Sequence, residues 1–299
     1  MPAPLRMGPV EWTLLVLLSL VWGASFLFGR VIVAEVPPLT ATWLRVALAA
    51  SALWIALPFF VRVSGPLPWR RFAVMGLLNN AIPFTLILYG QTAIGAGLAA
   101  IVNAMTPIWT VLLAGTVTDD ERLSSAKLAG VALGFAGVAV LIGAAALEGL
   151  EASVWAQVAV LGATVSYACA GLYGRRFRDV APALTARGQL TMAALIMLPL
   201  ALLDRPWTLL WPSAEVVWSM ALLATMSTAL AYILFFTILA RAGATNVLLV
   251  TFLVPLSAIA LGALFLDEVL APRHLVGLVL IVGGLALIDG RLVRPIRQP

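Results

Sequence analysis

The sequence predicts an all-α polytopic membrane protein, with ten transmembrane helices arranged as two inverted five-helix repeats. Three observations predict it. Hydrophobic residues make up 63% of the 299 positions against 10% charged, and mean hydropathy is +1.07, so most of the chain cannot meet water. Apolar stretches long enough to cross about 30 Å of hydrocarbon follow one another from end to end. A pattern is also written twice: Pro107, Asp120-Glu121, Leu123, Gly130 and Gly137 recur as Pro255, Asp267-Glu268, Leu270, Gly277 and Gly284.

The first stretch, 11–29, follows Arg6 and reaches Gly23-Ala24-Ser25, as a signal peptide would. No small-x-small cleavage site follows, and the duplication needs this segment as its first member, so it is predicted to be a span. Stretches 39–61, 69–89, 95–117 and 125–146 complete a first repeat over 1–147. Stretches 153–174, 182–203, 214–238, 246–266 and 272–290 build a second over 148–299. None has the short alternation of a barrel strand, and uninterrupted spans need the internal hydrogen bonding of helices. Five is odd, so the second copy enters the membrane from the opposite side. Equivalent positions confirm the register: Gly29-Arg30 falls on Gly174-Arg175, Pro37 on Pro182, and Leu39-Thr40 on Leu184-Thr185.

Charge predicts the orientation. Arg6, Arg62, Arg70, Arg71, Arg122, Lys127, Arg175, Arg176, Arg178, Arg187, Arg241, Arg291, Arg294 and Arg297 fall on the amino-terminal side, against Arg30, Arg205 and Arg273 on the other. Cytoplasmic loops concentrate basic residues, so both termini are expected in the cytoplasm. The pI near 10.1 thus reflects membrane-surface arginine and no nucleic-acid patch. Trp12, Trp69, Trp155, Trp207 and Trp211 lie near span ends, where indoles sit at headgroup level; Trp22 and Trp109 lie well inside. The single cysteine, Cys169, has no disulfide partner and reads as a packing residue.

Trp22-Gly23, the intramembrane Arg45, Pro107, the Asp-Glu after the fourth and ninth helices and the spaced glycines of the fifth and tenth carry a resemblance. The chain resembles the ten-helix drug/metabolite transporter superfamily, EamA type, over essentially its whole length, and looks most like a YddG-type bacterial amino-acid exporter. The resemblance implies a metabolite carrier of the bacterial inner membrane. Its central cavity would be built from helices 1 to 4 and 6 to 9, with helices 5 and 10 at the periphery.

Candidate contacts follow from polar groups inside spans. Arg45 is the one charge expected within a span, at a cost of at least about 2.5–3.5 kcal/mol. It lies roughly 9 Å below the nearer boundary at about 1.5 Å per residue. It either snorkels to the headgroups or anchors a substrate carboxylate. Asn79 and Asn80 precede Pro83, and Asn103, Thr106, Pro107 and Thr110 share a face of the fourth helix. Proline frees a carbonyl one turn earlier, so Pro83, Pro107 and Pro255 read as hinges beside a cavity. The same asparagines also suit plain helix-to-helix bonding. Ser166, Ala170 and Tyr173 align on one face, as do Thr225, Thr228 and Tyr232; Trp22, Tyr89, Trp109 and Tyr167 add aromatic walls. Gly130, Gly134, Gly277 and Gly284 read as close-packing positions. The Asp-Glu pairs read as caps of the helices that follow them, with gating as the alternative.

Several function classes are disfavoured. No GxxxxGK loop exists for ATP hydrolysis. One histidine and no mid-membrane acid leave an intramembrane enzyme without its groups, and no metal or cofactor is expected. A cation exporter would want a buried carboxylate, and a sugar-phosphate exchanger more basic lining. The expected function is secondary active or facilitative export of amino acids or related zwitterionic or neutral metabolites by alternating access, by a monomer whose partners are its small-molecule substrate and the bilayer. The other readings are export of different metabolites or drugs, and a non-transporting receptor or scaffold.

Overall fold

A computed structural model describes residues 8–57, 66–117, 125–142, 152–177, 179–208, 211–247 and 249–289. Among these residues there is no strand. The helices are α1 (Pro9–Ile32), α2 (Pro38–Ala56), α3 (Trp69–Gln91), α4 (Ala96–Asn103 and Thr106–Val117), α5 (Ser125–Ile142), α6 (Ala152–Gly174), α7 (Pro182–Ala201), α8 (Ala214–Ala224, then Thr225–Leu230 and Ala231–Ala242), α9 (Ala244–Val247 and Val250–Phe265) and α10 (Pro272–Asp289). Seven are long and apolar enough to cross a membrane, while α5, α9 and α10 contribute shorter apolar stretches. The chain is a multi-pass membrane protein.

Proline opens α1, α2, α7 and α10, where its fixed φ is already helical and its missing N–H costs nothing. Side chains add caps: at α1 Glu11 accepts from the Gly8 N–H at 3.0 Å, and at α8 Ser213 accepts from the Val216 N–H.

The principal helix pairings are α1 with α8 and α9, α2 with α7 and α8, α3 with α6 and α7, α4 with α6 and α9, and α5 with α10. Exchanging every helix for the one five positions away maps this set onto itself. Two kinds of irregularity obey the same exchange. Both α3 and α8 widen into a π turn, at Leu77–Ala81 and Thr225–Leu230. Both α4 and α9 are divided, at Ala104–Met105 and between Val247 and Val250. Pro107 follows the division of α4, and Pro83 follows the π turn of α3, but Pro255 lies within continuous helix.

Close approaches use glycine. A Cβ on Gly23 would stand 2.6 Å from the Ser257 Cβ of α9, and one on Gly130 would stand 2.5 Å from the Gly284 carbonyl. Gly137 faces the Gly277 carbonyl, so α5 and α10 meet backbone to backbone, while Gly134 faces Met105 and Ile108 of α4.

Polar ties fasten the helix ends. Where α1 begins, Glu11 pairs with Arg241 at 2.7 Å, and Arg71 at the start of α3 pairs with Asp179 at 3.1 Å. Where α1 finishes, Arg30 donates to the Gln91 carbonyl at 2.6 Å, and Asp204 accepts from the Thr40 N–H and hydroxyl at 2.8 and 3.0 Å. At that end Glu35 also accepts from the Ser213 N–H at 2.7 Å, which holds its carboxyl below the ordinary range.

Two expectations are corrected here. Glu268 does not cap α10, the helix that follows it. Its carboxylate reaches the start of α4 and accepts from the Ala96 and Gly97 N–H groups at 2.6 and 3.0 Å. Gly95 and Gly262 leave the room: a Cβ on either would lie 2.6 or 2.7 Å from a carboxylate oxygen. Asp267, at φ 52°, turns the chain back toward α4. The other copy, Asp120-Glu121 with Leu123, lies outside the described residues, as do Arg6, Arg62, Arg122, Arg178, Arg291, Arg294 and Arg297. Second, Arg187, counted among the charges of the amino-terminal side, is buried within a span. It is the sixth residue of α7, is 4% exposed, and stacks over the Trp54 ring of α2 at 4.0 Å. Arg45 is therefore not the sole charge within a span.

Glu268→Ala strips two N–H groups of α4 of their acceptor. A loss of about 1–2 kcal/mol is expected, the cost of deleting a good helix cap, read as a lower unfolding midpoint of the purified protein in detergent.

Candidate functional site

Polar side chains from five helices converge where the apolar packing is interrupted. One cluster of buried aliphatics joins α2, α3, α7 and α8 around Val46, Leu53, Phe84 and Leu190; a larger one joins α1, α4, α6 and α9 with their neighbours. Tyr167 of α6 packs against both. Between them lies Arg45.

Arg45 is the eighth residue of α2 and is 6% exposed. Its guanidinium does not snorkel outward. It sits over the Phe84 ring of α3, 3.6 Å from the centroid, and its Nε donates to the Thr228 hydroxyl of α8 at 3.0 Å. Tyr167 and Tyr232 lie near enough to interact with it electrostatically. No carboxylate pairs with it among the described residues. A charge-assisted hydrogen bond contributes about 1.5–3 kcal/mol and a stacked cation about 0.5–2. Desolvating an isolated ion costs several kcal/mol, so these contacts offset only part of it. An entering carboxylate would complete the compensation.

The two π turns supply the rest. In α3 the wide turn carries Asn79 and Asn80 inward. Asn79 Nδ2 donates to Gln189 Oε1 of α7 at 3.0 Å and to the Tyr232 hydroxyl at 2.9 Å. Asn80 Nδ2 donates to the same hydroxyl at 3.0 Å, and its Oδ1 is buried without a partner. The Leu78 carbonyl accepts from the Ser166 hydroxyl of α6 at 2.7 Å. In α8 the Thr228 hydroxyl turns back to the Leu223 carbonyl, five residues earlier, at 2.8 Å. A π turn inside an α-helix costs local hydrogen-bond quality and frequently marks a working site.

Of the expected residues, Arg45, Asn79, Asn80, Tyr167, Thr228 and Tyr232 are brought together. Others are not. Tyr89 is 63% exposed, because it lies nine residues after Asn80 and so about half a turn round the helix. Trp109 packs edge-on against Phe135 of α5 at 5.1 Å, and its Nε1 is buried without a partner. Tyr173 lies near the end of α6 against Phe177, under the Arg176 guanidinium. Trp22 packs at 5.7 Å against Phe235 of α8. Asn103 ends the first segment of α4; its carbonyl accepts from the Thr106 hydroxyl at 2.9 Å, and its own Oδ1 is buried without a partner. Sequence reasoning missed Gln189 and Phe84. A buried glutamine at 1% exposure was a signal available in the α7 span, whereas nothing distinguished Phe84 from other core phenylalanines. No group of three or more metal-ligating side chains occurs among the described residues.

The family model described as EamA-like transporter family matches the chain twice, at residues 11–143 and 154–289. An uncharacterized transporter of Bacillus subtilis, YvbV, is 28% identical over 278 residues, spanning 92% of this chain and 90% of its own. A probable amino-acid metabolite efflux pump of Escherichia coli is 29% identical over 290 residues, spanning 93% of this chain and 94% of its own. A solved crystal structure superposes with a TM-score of 0.65 at 21% identity, covering 97% of this chain and all of that one, which establishes a shared fold.

The polar cluster yields an outcome that needs no substrate. Tyr232→Phe takes the acceptor from Asn80 Nδ2, while Asn79 keeps Gln189. An unfolding midpoint lowered by about 1–3 kcal/mol of stability is expected from the stranded amide, and Gln189→Leu should then add to it by removing the acceptor left to Asn79.

Proposed function

Because the chain belongs to the EamA-like transporter family, we propose that it exports amino acids or related small zwitterionic or neutral metabolites across the bacterial inner membrane. Transport is secondary active or facilitative. The units 1–147 and 148–299 rock about the polar cluster, with both termini in the cytoplasm and a single chain as the working form.

The observation that carries this reading is the buried Arg45 guanidinium with no carboxylate partner among the described residues. A carboxylate-bearing solute supplies what the site lacks, and a planar guanidinium fork suits it. Asn79, Asn80, Thr228 and Tyr232 provide neutral polar contacts, with Tyr167 and Phe84 as flat walls and Trp22, Asn103 and Thr106 further along the path. Support for alternating access comes from the exchange symmetry of the pairings and from the matched irregularities. Divided α4 and α9 and widened α3 and α8 are places where a helix bends at small cost. The Escherichia coli relative named for amino-acid metabolite efflux supports the substrate class.

The test is flux of labelled amino acids from proteoliposomes holding the pure full-length chain, with and without a pH gradient. Transport of at least one amino acid is expected; no flux across a broad panel would overturn the reading. Arg45→Leu should cut flux of carboxylate-bearing substrates by about a hundredfold or more, the scale of losing a charge-assisted pair, while leaving the folded yield intact.

A further inference from the structure

The two π turns stand five helices apart and begin at Leu77 and Thr225. Asn80 and Thr228 are each the fourth residue of their turn. Thr228 uses its place to hold Arg45. Asn80 is fully buried, and its carbonyl oxygen has no hydrogen-bond donor. A buried acceptor left unmade costs about 1–3 kcal/mol, so such an atom needs a reason.

Its direction is fixed. Asn80 Nδ2 is tied to the Tyr232 hydroxyl, and Oδ1, on the other arm of the same planar amide, takes no part in that contact. The amide plane is therefore pinned with its oxygen turned away from Tyr232. Phe84 lies four residues further along α3, on the same face as Asn80, and carries the Arg45 guanidinium on its ring. Four residues of helix rise about 6 Å. An acceptor and a guanidinium are thus set about one helical turn apart on one face. Arg45 spends only its Nε on Thr228, and its two Nη groups form no hydrogen bond among the described residues.

We propose that Asn80 Oδ1 is the acceptor for the substrate's α-ammonium group, while the Nη edge of Arg45 receives its α-carboxylate. The two ends of a zwitterion then read the two π turns at once. This rests on the amino-acid reading above and sharpens it: the recognised unit is the pair of charges on adjacent carbons, and the side chain is left to the aromatic walls. Polar sites built to bond a substrate group reject analogues lacking it, because the protein's buried group is stranded.

The experiment is equilibrium binding to the purified full-length protein in detergent, which avoids leakage of weak acids through a bilayer. The probes are L-threonine, L-leucine and L-phenylalanine, each beside its N-acetyl derivative and its des-amino acid. For the wild type, at least one free amino acid should bind about tenfold or more tightly than its two analogues. In Asn80→Leu this preference should shrink to within about threefold, through weaker binding of the amino acid with binding of the des-amino acid unchanged. Equal binding of amino acid and analogue by the wild type would overturn the proposal, as would a preference that survives in Asn80→Leu. Should Asn80→Leu not fold, Asn80→Ala carries the same expectation, and the wild-type ratio stands as a test by itself. Amino-acid binding with no sensitivity to Asn80 sinks this inference alone, whereas no amino-acid binding at all sinks the function on which it rests.

Discussion

A guanidinium held out of water without a carboxylate beside it is the constraint around which the middle of this molecule is arranged. Arg45 cannot be accommodated by its own helix; Phe84 of α3 and Thr228 of α8 must both be in place to hold it. Thr228 reaches it from a π turn, and the matching turn in α3 delivers Asn79 and Asn80 to Tyr232. Three helices, α2, α3 and α8, are thereby committed to one small volume. Apolar clusters flank that volume, and low-dielectric surroundings strengthen each electrostatic contact inside it.

The frame and the site answer to different physics. The frame is repeated: glycines let α5 and α10 meet backbone to backbone, and end-to-end ties such as Glu268 on α4 join elements that are distant in sequence. The bilayer demands that backbone polar groups be satisfied internally, so irregular backbone survives only where something pairs with it. Ser166 on the Leu78 carbonyl and Thr228 on the Leu223 carbonyl are such pairings. The site is where the repeat is broken. Asparagine occupies the place in α3 that threonine occupies in α8, so one turn offers an amide oxygen and the other a hydroxyl.

Much of this was legible in the sequence, because polar residues inside long apolar spans are costly enough to stand out. Arg45, Asn79, Asn80, Thr228 and Tyr232 were found that way. Gln189, a polar residue inside the span 182–203, carries the same signal, whereas Phe84 is defined only by what faces it. The π turns were invisible: Pro83 follows one, but no proline attends the other, and both depend on packing across helices. Tyr89 and Trp109 lie apart from the cluster, Tyr89 half a turn round the helix from Asn80 and Trp109 against Phe135 of α5. Glu268 was assigned to its neighbour in sequence, when a left-handed Asp267 and two glycines send it to α4. Arg187 lies inside the predicted span 182–203 yet reads by charge alone as an arginine of the amino-terminal side, because only its stacking on Trp54 shows it buried.

The claim that Arg45 meets a substrate carboxylate is tested most directly by a double-mutant cycle in binding. The protein change is Arg45→Leu, and the ligand change replaces the carboxylate of a bound amino acid by its carboxamide. If the two groups touch, either change alone should cost nearly as much as both together, leaving a coupling of about 1.5 kcal/mol or more, the range measured for close charge pairs. Costs that simply add would place the carboxylate elsewhere and contradict the account.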